Sequence, residues 1–247
     1  MADTFCIFLA GQTVSVTHRF PDIYEMCRDY RTEAREADIS VNVSAEDIDR
    51  ERQRAEEQRV REGMPPYADS DANLETLAVY RKIADAMLER DTLLFHGSAV
   101  AKDGEVYIFT ARSGTGKTTH TRLWLEQFPD AHVVNGDKPL LRFESDRVTV
   151  CGTPWMGKEH YGCNEELPLK AICILERGEQ NRIEKISFRE ALVSLLSQSY
   201  IGGKNAVLDT LNIWGKVKNV EFYRLHCNME REAALVSYRG MQEDGGQ

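Results

Sequence analysis

The residues best suited to chemistry lie together in Ala111-Arg112-Ser113-Gly114-Thr115-Gly116-Lys117-Thr118-Thr119. A β-branched and aromatic run, Val106 to Thr110, precedes them, and residues with helical spacing follow. Strand, loop and helix start is an order in which a chain can wrap an anion. Glycines let successive backbone N–H groups turn inward, and the positive end of the helix adds to the same field. Ala111-x-x-x-x-Gly116-Lys117-Thr118 fits the phosphate-loop pattern, with alanine replacing its first glycine, an exchange that a negative φ allows. In that pattern Lys117 reaches the β and γ phosphates and the Thr118 hydroxyl ligates magnesium, so a nucleotide with Mg2+ is the expected ligand. A surface turn that happens to carry Gly, Lys and Thr is the bland alternative.

The elements that must hold this loop follow from periodicity. Leu93 to Val100 is expected as a strand, Lys102-Asp103-Gly104 as a turn, and Glu105 to Ala111 as the strand that enters the loop, so an antiparallel hairpin feeds it. A helix from Thr118 stops at Pro129. A strand over Ala131 to Val134 then delivers Asn135-Gly136-Asp137-Lys138 at its tip. Leu140 to Phe143 and Val148 to Cys151 form another hairpin, and Gly152 to Glu159 is a mixed loop of functional appearance. Lys170 to Leu175, Arg182 to Ile186 and Phe222 to Cys227 are expected strands. Ser187-x-x-Glu190 is a capping box for a helix through Ser199, with further helices over Ala206 to Val217 and from Asn228. The tail 243–247 is expected to be loose.

The N-terminal part offers no chemical motif. Residues 4 to 9 and 13 to 17 suggest a hairpin around Gly11-Gln12, with a strand over Ile39 to Val43 and a short helix over Asp22 to Tyr30. Ser44 caps a helix to Glu62 whose sizeable aliphatics are Ile48 and Val60. Its arginines and glutamates are expected as a solvated, salt-bridged face, or else as an arm over the site or a partner. Met64-Pro65-Pro66-Tyr67 marks the boundary between a region 1–67 and a catalytic domain 68–247. After it, Leu77, Tyr80, Ile83, Ala84, Met87 and Leu88 spell an amphipathic helix packed on the sheet.

Composition narrows the partners. A chain of 247 residues can bury a full core. A net charge of −9 with no basic stripe argues against nucleic acid. Six cysteines without Cys-x-x-Cys pairing read as reduced thiols. No apolar run is long enough to span a membrane and no leader pattern is present, so a soluble, cytoplasmic protein is expected.

The nine-residue loop 111–119, with His96-Gly97 upstream, resembles that of HPr kinase/phosphorylase, which phosphorylates a serine of the phosphocarrier protein HPr. Its Ser-Gly-Thr-Gly-Lys-Thr-Thr portion is also similar to the loop of phosphoenolpyruvate carboxykinase, although the chain is far too short for that enzyme's oxaloacetate-binding half. Together with Leu93 to Val100, Asn135 to Leu141 and Gly152 to Glu159, the pattern resembles a broad bacterial set of HPr-kinase-like proteins. The likeness spans residues 93 to 187 and leaves out the N-terminal 70. It implies a mixed α/β phosphate-loop domain, ATP and magnesium, and transfer of the γ-phosphoryl group to a serine of a protein or peptide, or to a small hydroxylated molecule.

Carried over by residue, the resemblance assigns the phosphates to the loop Ala111 to Thr119, with Gly114, Gly116 and Lys117 central, and the metal to Thr118 and Asp137. The family has two adjacent aspartates where this chain has Gly136-Asp137, so Asp137 stands alone for metal ligation and proton removal. His96 either contacts a phosphate or orients Asp137, or is structural. Lys158 and Lys138 either supply charge to the transferring group or are solvated. Trp155 is a pocket wall or core. His160 and Cys163 lack a further ligand close in sequence, which argues against a metal there. The missing aspartate keeps open a different class of function, a nucleotide-gated module that binds ATP and a partner with little chemistry. A homo-oligomer and a reverse phosphorolysis are compatible with the family but not implied by these residues.

Overall fold

The structure, a computed structural model, describes residues 3–65, 69–202 and 206–242. Pro66 and Tyr67 of the expected boundary, and the tail 243–247, lie outside the described residues. The chain forms two compact units, Met1–Met87 and Leu88–Gln247. The helix expected to pack on the catalytic sheet thus counts almost entirely with the first unit, which ends well beyond residue 67.

In the first unit β1 (Asp3–Leu9) and β2 (Gln12–His18) form the expected hairpin, turned by Ala10 and Gly11 at φ 49° and 76°. Two successive positive φ values match the twist of the strands, and the turn lies one residue earlier than Gly11-Gln12. α1 (Pro21–Met26), β3 (Arg31–Thr32) and β4 (Ile39–Asn42) follow, giving a sheet ordered β3-β1-β2-β4 with β4 parallel to β2. Ile7, Leu9, Val14, Val16, Ile39 and Val41 alternate inward to the core.

α2 (Ala45–Glu62) and α3 (Asp71–Leu88) complete the unit. The expected solvated face of α2 is partly wrong. Val60 is 80% exposed, but Glu51 is only 4% exposed and Asp47 is buried. Glu51 pairs with Arg54 at 2.6 Å and with Arg81 of α3 at 2.7 Å, and Asp47 with Arg50 and, at 3.1 Å, with Lys82 of α3. A helix poor in aliphatics therefore docks through paired carboxylates. Glu75 of α3, fully buried, likewise accepts the Arg19 and Phe20 N–H groups at 2.7 and 3.0 Å.

The second unit is a mixed sheet with helices on both faces. Its strands are β5 (Thr92–Leu94), β6 (Ser98–Lys102), β7 (Glu105–Thr110), β8 (His132–Asn135), β9 (Leu140–Phe143), β10 (Val148–Cys151), β11 (Glu166–Arg177), β12 (Arg182–Ile186) and β13 (Glu221–Cys227). Its helices are α4 (Lys117–Gln127), α5 (Phe188–Gln198), α6 (Ala206–Trp214) and α7 (Glu232–Gln242). The order is β5-β9-β10-β11-β7-β6-β8, with β13 joining β11 to β12. β7 pairs antiparallel with β6, through an Asp103-Gly104 turn, and parallel with β11, so the strand entering the loop is held by both kinds of ladder.

Alternate residues of β7 serve opposite faces. Tyr107 and Phe109 join Leu123 and Trp124 of α4 and Ala234 and Met241 of α7, while Val106 and Ile108 join Leu195 of α5 and Trp214 of α6. Trp124 Nε1–H donates to Ser237 Oγ at 2.8 Å and His120 Nε2 lies 3.1 Å from the same oxygen, which ties α4 to α7. Burial pushes His120 down to about 3, so it is neutral there.

The single strand expected over Leu93 to Val100 is two. The Phe95 N–H still donates to Pro139 O at 3.0 Å, but His96 and Gly97 leave the ladder, the His96 N–H donating to Gln198 O at 2.7 Å and the Gly97 N–H to Asp137 O at 3.0 Å. A side chain at 97 would come within 2.8 Å of Ile108 Cγ2, so glycine is what allows the close passage. His96 therefore sits on a break between strands rather than within one.

Candidate active site

The loop between β7 and α4 is shaped by its own residues. Ala111 is 5% exposed, packs in the core beside Phe109 and Leu123, and does not need a positive φ, which accounts for alanine at this position. Gly114 and Gly116 have φ of 77° and 127°, and a Cβ on either would meet no atom within 4 Å. Backbone conformation, not space, demands glycine at both. α4 starts from Gly116 with no side-chain cap and no acidic residue in its first turn, so its free N–H groups and positive end are open to an anion. Lys117 folds over the loop, donating to Ala111 O at 3.2 Å, and Arg177 Nη2 donates to Gly114 O at 2.7 Å. Burial lowers the Lys117 pKa, and the Asp137 charge acts in the opposite sense.

Asp137 is held from several sides. Asn135, fully buried, donates its amide to Thr153 O and Oγ1, each at 3.0 Å, and accepts the N–H groups of Asp137 and Lys138 at 2.9 and 2.6 Å. This Asx-type turn aims the 137 side chain. Its Oδ1 lies 3.2 Å from His96 Nε2 and its Oδ2 2.9 Å from Lys138 Nζ. Burial would raise the Asp137 pKa, but the His96 hydrogen bond and the Lys138 charge outweigh it and hold the carboxyl far below the usual range. The place of the second aspartate is closed. A Cβ at Gly136 would lie 2.9 Å from Met156 O and 3.1 Å from Tyr161 O, and one at Gly157 would lie 2.9 Å from the Asp137 Cβ.

These parts line one cleft of about 750 Å³. Of the residues singled out in the sequence, it gathers Ser113, Gly114, Gly116, Lys117, Thr118 and Thr119 with His96, Asp137, Lys138, Lys158 and His160. Ala111, Arg112 and Thr115 do not line it; the Thr115 N–H closes the loop onto Arg112 O at 3.2 Å. Trp155 is core, 6% exposed, and its neighbour Met156 forms the wall instead. Sequence reasoning passed over Ser98, Thr121, Glu159 and Tyr161, which also line the cleft, and Asn135, which positions Asp137. The signal for Asn135 was present, since asparagine two residues before a loop carboxylate is a turn-forming pattern. Glu159 gave none beyond its place in the Gly152 to Glu159 loop.

No family model matches the chain, and no curated protein matches it. Among solved structures it is similar to the HPr(Ser) kinase/phosphatase from Coxiella burnetii, at 8% identity and a TM-score of 0.37, over 60% of this chain and 95% of that one. So loose a superposition adds nothing to the geometry above. No helix among the described residues is long and apolar enough to cross a membrane.

Proposed function

We propose that the chain is an ATP-dependent phosphotransferase that passes the γ-phosphoryl group to a hydroxyl, that of a protein or peptide serine or of a small molecule. The observation that carries this is the meeting, in one cleft, of an uncapped helix start bearing Lys117 with a carboxylate, Asp137, fixed by His96 and Lys138. In a loose phosphoryl transfer the protein contributes position and charge. The loop N–H groups and Lys117 hold the phosphates, and Lys138 and Lys158 add positive charge along the path. Thr118 and Asp137 offer the hard oxygen donors that magnesium prefers, and the ion, when bound, neutralises phosphate oxygens. Asp137 accepts the acceptor's proton as the new oxygen–phosphorus bond forms and the bond from the γ phosphorus to the β–γ bridging oxygen breaks, with ADP leaving and His96 orienting the carboxylate. Glu159 is a second carboxylate of the cleft and takes part of the work the missing aspartate would do.

The closed space at Gly136 favours a second reading, a module that binds ATP and a partner without turnover. Incubation with γ-labelled ATP and magnesium against HPr, free serine and a cell extract separates the two. A kinase moves label to an acceptor, and Asp137→Asn lowers the rate by about 10²-fold or more while ATP still binds. Label that never moves, with ATP bound, leaves the binding module. Glu159→Gln, run in parallel, shows whether the second carboxylate is used.

A further inference from the structure

β8 and the segment after Tyr161 run antiparallel. The Gly136 N–H donates to Tyr161 O at 2.8 Å, Asn135 bridges Gly162, and the Cys163 N–H donates to Val134 O at 3.1 Å. Continued by two residues, this register sets Glu165 opposite His132. Directly opposed residues, and those two apart along each strand, share a face of the ribbon. Three chemically distinct donors therefore project together: the ligand atoms of His132, Cys163 and Glu165 all lie within 4.8 Å of one another, with His132 Nε2 and Glu165 Oε2 at 2.6 Å. The hydrogen-bonded backbone register brings His132 to Cys163 and Glu165, which share a face as residues two apart.

We propose that His132, Cys163 and Glu165 form a binding site for a zinc-class divalent cation, with water in the fourth position. Imidazole nitrogen, thiolate and carboxylate are the donors such ions take, at metal–ligand lengths of about 2.0–2.3 Å. In a tetrahedral site neighbouring donors are then roughly 3.3–3.8 Å apart, so the 2.6 Å His–Glu contact opens on binding, and the thiol, which now donates to Val133 O at 3.5 Å, turns to the ion. The thiol gives its proton to solvent on binding. Burial, then the charge and hydrogen bond of Glu165, push Cys163 up to about 11, a state that a bound cation reverses. The site is separate from the nucleotide cleft and does not depend on the phosphotransfer reading. An ion here braces the ribbon whose other end carries Gly136 and Tyr161.

An exposed His–Glu ion pair would explain the 2.6 Å contact without a metal, and the thiol separates the two cases. The test is titration of the reduced, metal-stripped full chain with Co2+ in the absence of nucleotide. The expected result is a thiolate-to-cobalt charge-transfer band that is lost in Cys163→Ser, is weakened in affinity by about tenfold or more in His132→Ala, and disappears when Zn2+ is added. Cobalt on the oxygen donors of Thr118 and Asp137 gives no such band. No band in the unaltered chain overturns the proposal, as does a band unchanged in Cys163→Ser, which would come from other thiols, or an affinity unchanged in His132→Ala. His132 is exposed, so its variant decides the matter even if Cys163→Ser fails to fold.

Discussion

Two helices of the second unit begin in opposite ways. α5 closes its own start: Ser187 Oγ accepts the Glu190 N–H at 3.3 Å, and the Glu190 carboxylate accepts the Ser187 N–H at 2.8 Å and lies in the positive first turn. α4 has Gly116 where α5 has serine, Thr119 where α5 has glutamate, and Lys117 as its first residue. α2, in the other unit, repeats the closed form with Ser44 and Asp47. α5 and α2 thus satisfy terminal N–H groups from within. α4 leaves its own open beside a cleft, as the proposed nucleotide site requires.

The comparison breaks most visibly if α4 is given the other helices' start. Thr119→Glu places at α4 the acid that α5 carries in Glu190. A negative charge within roughly 4–5 Å of a bound phosphate costs about 3 kcal/mol at an intermediate effective dielectric, so ATP affinity should fall about a hundredfold. Without nucleotide the melting temperature should hold or rise slightly, because the helix gains a cap. Calorimetric titration and thermal unfolding read the two effects. Wild-type ATP affinity in this variant would show that the phosphates lie elsewhere.

This contrast could largely be read from the sequence, because caps and phosphate loops are local. Ser187-x-x-Glu190 and the 103–104 turn act over three or four residues and form as expected, and a helix starts at Lys117 directly after Gly116. What escaped was set by distant partners. Leu93 to Val100 reads as one strand because apolar residues flank its centre, and nothing within it says that Gln198 O and Asp137 O will draw His96 and Gly97 out of the ladder. The burial of Asp47 and Glu51 depends on Arg81 and Lys82 of another helix. The necessity of Gly136 rests on carbonyls at 156 and 161. His132, Cys163 and Glu165 meet through a strand register that no short motif records.

The two closed caps also differ from each other, and acid distinguishes them. Asp47 is buried; desolvation alone would raise it, but the Ser44 N–H, Lys82 and Arg50 bring it from its ordinary 3.8 down to about 2. A pKa lowered by folding stabilises fully above the unfolded value and is lost as pH falls through the folded one. Asp47→Asn should therefore cost about 2 kcal/mol near neutrality, where a hydrogen-bonded charge is lost from a buried place. The gap to the unaltered chain should close between pH 3.8 and 2. Urea unfolding followed across that range measures it, and a gap that persists at pH 2 would mean that shape rather than charge holds α2 to α3.

The smallest effect belongs to α5 and sharpens the original contrast. Ser187→Ala removes the hydroxyl that the Glu190 N–H needs, and exposed caps of this kind contribute about 1 kcal/mol. The Glu190 pKa, lowered chiefly by the hydrogen bond from the Ser187 side chain, should move back up toward its ordinary 4.5 in the variant. ATP affinity should not change, since Ser187 lines no part of the cleft. Thr119→Glu and Ser187→Ala thus form a crossed pair. Adding a cap to α4 should weaken binding and spare stability, whereas removing the cap from α5 should lower stability and spare binding. If both variants instead shifted stability and affinity together, the open start of α4 would be only a weaker version of the start of α5, not a site kept for a ligand.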